Sequence, residues 1–259
     1  MTHRPIALLL LAVALNAGCG DTAPDTPAEE TAHPLKIVHA LGLTLVPGRA
    51  KRPVVLHPGE LDDVLALGIT PVGAATPAPG VGFPRYLGHR VRGIASVGSV
   101  RRPDMARIER LDPDLILGST PSHRKIYRSL RRIAPAVIAD ERVHWQPNLR
   151  QDGEALGRTD AAEAMLSAYD TRVGRLRRSL PRFPSAAAVA RALPARVRPF
   201  LARPFISSIM KDARLPHPRP RRMERFSARP GPGDQWSLGV GVIAANRVLD
   251  DLARFLARG

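Results

Sequence analysis

The stretch "VVLHPGELDDVLALGITPVG" (Val54–Gly73) contains a complete strand–helix–strand unit. Val54, Val55 and Leu56 form a short apolar run of the kind that fills a buried strand. Pro58-Gly59 turns the chain out of it. Leu61, Val64, Leu65 and Leu67 then recur at helical spacing, Gly68 is placed to end the helix, and Pro71-Val72-Gly73 begins a second run. Glu60, Asp62 and Asp63 fall in the first turns of that helix, where carboxylates favour the positive end of the helix dipole. They read as helix-start chemistry rather than as a metal cluster, which leaves His57 alone pointing to the end of the sheet where ligands bind.

The same alternation continues on either side. Helical patterns at Asp104–Leu111 and His123–Arg132 alternate with apolar runs at Leu115–Leu117 and Ala136–Ala139. Strand and helix alternating at this pitch predict βαβ units around a parallel sheet. Ligands of such sheets sit beyond the carboxyl ends of the strands. The loops at 57–59, 76–90, 119–124 and 140–147 are therefore the ones to watch. Further on, Ala162, Met165, Leu166, Tyr169, Val173 and Leu176 share one face of a long helix over about Asp160–Leu180, ended by Pro181 and Pro184. Beyond it, proline and arginine crowd 195–204 and 216–232, and a clear helical pattern returns only at Val240–Leu256. Those last 75 or so residues are few for a second α/β domain, for which ~100 is usual.

The chain has 259 residues with 44% hydrophobic content, enough for a substantial core. Its net charge is +16, yet only four of the 39 basic residues are lysines, and the arginines are spread along the whole chain. Nucleic-acid binding would gather charge on one motif beside zinc-finger spacing or an RNA-binding aromatic signature, and neither is present. A GC-rich coding sequence accounts for arginine usage of this kind; the charge still favours anionic partners.

The start, "MTHRPIALLLLAVALNAGCG", has a basic tip, an apolar stretch from Ile6 to Leu15 and small residues before Cys19, the layout of an export leader. The apolar part is too short to span a bilayer. Cys19 is the single cysteine, so no internal disulfide exists. The stretch resembles a bacterial lipoprotein signal, in which that cysteine is lipidated, although Asn16 stands where leucine is usual; plain secretion is the alternative. The following "GDTAPDTPAEETAHP" reads as a flexible tether.

Several segments in order resemble the substrate-binding lipoproteins of ABC importers for ferric siderophores, relatives of the vitamin B12 binders. They are "GELDDVLALGITPVGAAT" (59–76), "YLGHRV" (86–91), "IERLDPDLILGS" (108–119), "YRSLRRIAPAV" (127–137), "EALGRTDAAEAML" (154–166), "FISSIMKDARLPHP" (205–218) and "WSLGVGVIAANRVLDDLARFL" (236–256). The resemblance implies an α/β fold of two Rossmann-like lobes joined by one long helix, the class III periplasmic-binding-protein type. It implies a leader over 1–19, a tether over 20–34, an N-terminal lobe over 35–158, the connecting helix over 159–181 and a shortened, incomplete C-terminal lobe over 182–259. The ligand is an Fe(III)-siderophore complex held between the lobes, and iron arrives chelated, so no cofactor or protein metal site is implied.

Candidate ligand contacts are Ser122 and Arg124 after the Leu115–Leu117 strand, Tyr127 one turn on, Trp145 after Ala136–Ala139, Arg191 in "VARAL" where the family often has an arginine-bearing strand, and Trp236 before the last helix. Arg85, Tyr86 and His57 are weaker candidates. At each, a solvated arginine or a core aromatic is the competing reading. The implied partners are the importer's permease subunits and the membrane, reached through lipidated Cys19 outside the cytoplasm; the protein is expected to be monomeric.

Two departures bear on docking. Ala106 occupies the place of the first lobe's permease-facing glutamate, with Glu109 almost one turn on, and Glu224 is the glutamate candidate in the shortened stretch Arg219–Gln235 where the second lobe's docking residue normally falls. Binding and docking are therefore expected to suffer, and a decayed, non-transporting homologue is one alternative. Another is a zinc or manganese binder built from His57, Glu60, His89, His123 and His144, although no pair has metal spacing. An enzyme is not expected: there is no nucleophile elbow or phosphate-binding loop, and the glycines of "GVGVIAAN" (239–246) are read as allowing close packing at the start of the last helix.

Overall fold

The computed structural model describes residues 33–141, 144–180, 184–195, 197–201, 203–216, 234–235 and 240–257. The leader, Cys19, Trp236 and Glu224 lie outside them. The described residues fall in one compact unit, Ala32–Gly259.

The unit opens with a hairpin, β1 (Leu35–His39) and β2 (Gly42–Val46), whose residues alternate between buried and exposed. Ile37 and Thr44 face inward, and the Thr44 hydroxyl donates to the Ala136 carbonyl at 3.0 Å. Then follow β3 (Pro53–Val55), α1 (Pro58–Ala66), β4 (Gly73–Thr76), a 3-10 segment at Arg85–Val91, β5 (Ala95–Ser99), β6 (Arg102–Pro103), α2 (Met105–Arg110) and β7 (Leu115–Thr120). A 3-10 turn at Arg124–Ile126 leads into α3 (Tyr127–Ile133), β8 (Ala136–Asp140) and α4 (Trp145–Ala155).

The six-stranded sheet has the order β6-β5-β4-β3-β7-β8, all parallel except β6. Chain order runs outward from β3 in one direction through β4 and β5, and then restarts on its other side with β7 and β8. The switch point therefore lies between β3 and β7, where an open α/β sheet splits its loops and leaves a crevice. Side chains alternate through the sheet. Val55, Ala74, Leu117 and Val137 join the larger core, and Val54, Leu56, Ala75, Ile116 and Ile138 join the smaller one with Ile108 and Leu130 from the covering helices. Buried on both faces, the strands are continuous apolar runs, as parallel strands require.

The long helix is α5 (Thr159–Ser179), 21 residues and so roughly 31 Å long. It buries Ala162, Leu166, Tyr169, Val173 and Leu176, the face expected from sequence except for Met165, which is only partly buried. Past α5 the described residues form α6 (Ala186–Ala192), a 3-10 turn at Arg198–Phe200, α7 (Pro204–Asp212) and α8 (Val242–Leu256), with no strand. The strand anticipated around "VARAL" is helix α6, capped by the Ser185 hydroxyl accepting from the Ala188 N–H at 3.2 Å, and its alanine-rich sequence favours that outcome. Likewise, no sheet of a second α/β lobe is formed among the described residues.

The largest departure from the sequence reading concerns Asp62 and Asp63. They serve the last helix, not their own. Asp62 accepts the N–H groups of Ile243 at 2.6 Å and Ala244 at 3.0 Å, and Asp63 accepts that of Val242 at 3.0 Å, so two carboxyls of α1 satisfy the free donors at the start of α8. Gly241 permits this approach. A Cβ there would lie 2.6 Å from Asp62 Cβ and 2.7 Å from Asp63 Oδ1, which bears out close packing as the reason for glycine at the start of α8.

Candidate functional site

β3 delivers His57 to the N-cap of α1, at the switch point. Its Nδ1 lies 2.8 Å from Glu60 Oε2 and 3.2 Å from the Gly59 nitrogen, while Nε2 lies 3.6 Å from Glu141 Oε1. When Nδ1 carries a proton it donates to Glu60; when bare it accepts from Gly59 and caps the helix. Burial opposes protonation of His57, but Glu60 and Glu141 outweigh it and leave its pKa raised. Glu141, directly after β8, also accepts the Ser119 hydroxyl of β7 at 2.6 Å, which fixes it over the sheet.

These residues form one wall of a cavity of about 300 Å³. Asp63, His144, Trp145 and Asn148 continue that wall, and Arg203, Phe205, Ser208 and Val240 supply the other. Arg203 is the one arginine on the lining; burial lowers its pKa, and its side chain makes no hydrogen bond or ion pair among the described residues. Trp145 packs edge-on against Tyr169, with ring centroids 4.8 Å apart, and its indole N–H has no partner among the described residues. An arginine without an ion-pair partner among the described residues, an aromatic wall and hydroxyl and amide groups can hold an organic anion carrying apolar parts, with the carboxyls of Glu60 and Glu141 on the same lining placed to exclude anions that do not reach Arg203.

Behind the cavity, Asp152 is fully buried with neither oxygen hydrogen-bonded among the described residues. Burial, followed by the charge of Glu60, pushes its pKa well above the carboxylate range. Asp63 is raised in the same way, by burial first and then by Asp152, and Asp62 is pushed up to about 7 by burial despite its amide hydrogen bonds.

Of the candidates read from sequence, the structure brings His57 and Trp145 into this cavity. Ser122 is half-buried and Arg124 exposed in the turn after β7, off the lining. Tyr127 faces the β1–β2 hairpin instead, 3.3 Å from the Thr44 hydroxyl and 3.2 Å from His39 Nε2, with Arg131 over its ring. Tyr86 is buried, its phenol pKa raised by burial and by Asp62, and its backbone N–H donates to Asp234 at 3.0 Å. Arg85 also gives its backbone N–H to Asp234 and leaves its side chain exposed. Arg191 is exposed on α6.

His123 is likewise internal. Its Nδ1 accepts the Ser119 N–H at 3.0 Å and its Nε2–H donates to the Val100 carbonyl at 3.0 Å, so it fastens β7 to the end of β5. The residues that sequence reasoning missed are Arg203, Phe205 and Ser208, and with them the role of Glu141 beside His57. Pro204 at the first position of α7 was the available signal, because it starts a helix and so aims its first turn at the cavity.

Comparison with known proteins agrees with this architecture. Residues 54–217 match the family model described as periplasmic binding protein. Over 176 residues the chain is 32% identical to the "Probable siderophore-binding lipoprotein YfiY" of Bacillus subtilis, covering 67% of this chain and 54% of that protein. Over 167 residues it is 29% identical to the achromobactin-binding periplasmic protein of Dickeya dadantii, covering 62% and 55% respectively. The chain thus spans about half the length of the curated relatives it matches.

Among solved structures, SirA of Staphylococcus aureus complexed with staphyloferrin B superposes with a TM-score of 0.64 at 20% identity, covering 86% of this chain and 98% of that one. A periplasmic solute binding protein from Mycobacterium smegmatis gives 0.61 at 20% identity, covering 87% and 98%. At this identity the likeness establishes the fold, an α/β architecture of the class III binding-protein type. With more than half of its length matched by one family model and its sheet, connecting helix and switch-point cavity in place, this chain belongs to the periplasmic binding protein family.

Proposed function

We propose that this protein captures ferric siderophore complexes outside the cytoplasm for an ABC importer, and that a lipid on Cys19 holds it at the membrane. The observation that carries the reading is the cavity at the switch point, where Arg203 is the one arginine on a lining shared with Trp145, His57 and Asn148. A chelate with surplus carboxylate or catecholate oxygens finds in Arg203 a planar donor that has no ion-pair partner among the described residues, although Glu60 and Glu141 share the lining, and in Trp145 and Phe205 apolar faces for its scaffold. The names of the matched relatives, one siderophore-binding and one achromobactin-binding, support the same class of ligand. Iron enters already chelated and needs no protein ligand. Among the described residues no group of three or more His, Cys, Asp or Glu could hold a metal ion, so a free-metal binder draws no support.

The permease is the proposed partner. The docking glutamate is absent where Ala106 stands, and Glu109, exposed on α2, lies almost one turn further along on a different part of the face, so that contact is weakened. Titration of the tryptophan emission of the full chain with ferric hydroxamate, catecholate and citrate-type complexes tests the reading. Quenching with a Kd at or below about 1 µM for one class, lost in Trp145→Phe, is expected. Quenching by zinc alone, or by none of the chelates, overturns it.

A further inference from the structure

The β1–β2 hairpin has a second face. In its register Lys36 pairs with Leu45 and Val38 with Leu43, so these four side chains share the side turned away from the core. Val38 is 73% exposed, Leu43 51% and Leu45 55%, and they are the exposed large hydrophobic side chains of the described residues. An antiparallel pair with one solvated face ordinarily carries polar groups there. The mount is rigid: the Ala40 N–H donates to the Ile138 carbonyl at 3.0 Å, Gln151 Nε2 donates to the Val38 carbonyl at 3.0 Å, and Ile37 and Thr44 are locked beneath. The three aliphatic groups therefore cannot turn inward.

We infer that this face rests on an anionic phospholipid surface, with Val38, Leu43 and Leu45 entering the interfacial layer and Lys36 meeting headgroup phosphates. The inference rests on the anchoring at Cys19 proposed above. Sixteen positions separate Cys19 from Leu35, a contour of at most about 58 Å, so a lipid on that cysteine holds the hairpin at high local concentration beside the bilayer. The size of the patch decides among occupants. Three partly exposed aliphatic side chains offer on the order of 300 Å², so two copies meeting through them would bury about 600 Å² in total, short of the roughly 1,000 Å² of a stable contact between two proteins. So small a patch suits a supplementary contact that orients a protein already anchored by its lipid. The net charge of +16 adds attraction to an anionic leaflet.

The test uses the full chain bearing its own anchor, reconstituted into vesicles of phosphatidylcholine with phosphatidylglycerol. Because Cys19 is the single cysteine and is consumed by the lipid, Leu43→Cys provides a unique thiol for an environment-sensitive fluorophore, with Arg175→Cys on the exposed side of α5 as the control. The expected result is blue-shifted emission at position 43, quenched by doxyl-labelled acyl chains, with neither effect at position 175. The shift should shrink on adding Lys36→Glu and on pure phosphatidylcholine. A label at 43 as wet as that at 175, on chains that float with the vesicles, overturns the inference and leaves the anchor standing. A shift that appears only at high protein density assigns the face to a second copy and also overturns it. Chains that fail to float and carry no lipid by mass spectrometry overturn the anchor and this inference together.

Discussion

Tyr169, midway along the long helix α5, donates its phenolic proton to Asp212 Oδ2 of α7 at 2.8 Å while its ring takes the edge of Trp145. Asp212 also accepts Gln146 Nε2 of α4 at 3.1 Å. One helix thereby ties both walls of the cavity, the α4 wall through Trp145 and the α7 wall through Asp212. Tyr169→Phe keeps the packing and removes one donor from a carboxylate, so it should cost about 1–2 kcal/mol in urea unfolding, whereas Tyr169→Ala, which also opens a void beside Trp145, should cost ~3–5 kcal/mol.

The cavity should discriminate through Arg203. Arg203→Ala is expected to weaken binding of an anionic ferric chelate by tenfold or more, a loss of at least about 1.4 kcal/mol, and Arg203→Lys should restore only part of it because the planar two-donor fork is gone. The unfolding midpoint should move little in either variant, since the side chain has no hydrogen-bond partner among the described residues. Isothermal titration against the best ligand from the fluorescence screen measures both effects.

Stability should rise as pH falls from about 7 towards about 4. Folded Asp62 keeps its proton up to about 7 because it is buried, whereas the unfolded chain releases it near 3.8. Between those values the folded state binds more protons, so its advantage is complete below the unfolded pKa and is lost as pH rises through the folded one. Asp63 and Asp152 are raised likewise and act in the same direction. His39 and His123, lowered by burial, act in the opposite sense when pH drops through 6.5. Urea midpoints across this range should therefore climb on acidification, and Asp62→Asn should flatten the climb.

Gly241→Ala should be among the costliest single-methyl additions in the chain. Its Cβ would meet Asp62 Cβ at 2.6 Å and Asp62 Cγ at 2.7 Å, forcing the start of α8 off its acceptors. A loss of about 2–4 kcal/mol is expected, as for overpacking combined with a lost cap. Gly82→Ala, where nothing lies within 4 Å, is the neutral control within about 0.5 kcal/mol. Thermal unfolding of the two variants side by side decides.

Much of the first half was legible because local chemistry and tertiary role coincide there. Short apolar runs became strands, Gly68 ended α1 with φ +79, and the rule that ligands sit beyond strand ends picked out His57 and the loop before Trp145. Asp62 and Asp63 show where this stops. A carboxylate early in a helix looks the same in sequence whether it serves that helix or, as here, another about 180 residues away. The arginines fail for a different reason. In a chain so rich in them, Arg124, Arg191 and Arg203 carry no local mark of which one will be aimed at a cavity, and only the placement of α7 singles out Arg203.

The bond between Asp62 and the start of α8 also orders events in time. Ribosomes deliver the chain from its N-terminus at about 5–20 residues per second, so α1 and the parallel sheet emerge well before Ile243 and Ala244. Throughout that interval two acidic groups, destined for burial, have no amide donors to receive, and the Val242–Leu252 face that covers them is missing. The first half is thus a sheet with an open, charged seam, held short of its native state until the last helix arrives. For the exported protein proposed above this delay would be useful: the segment most able to fold early is the one kept slack enough to be threaded across a membrane.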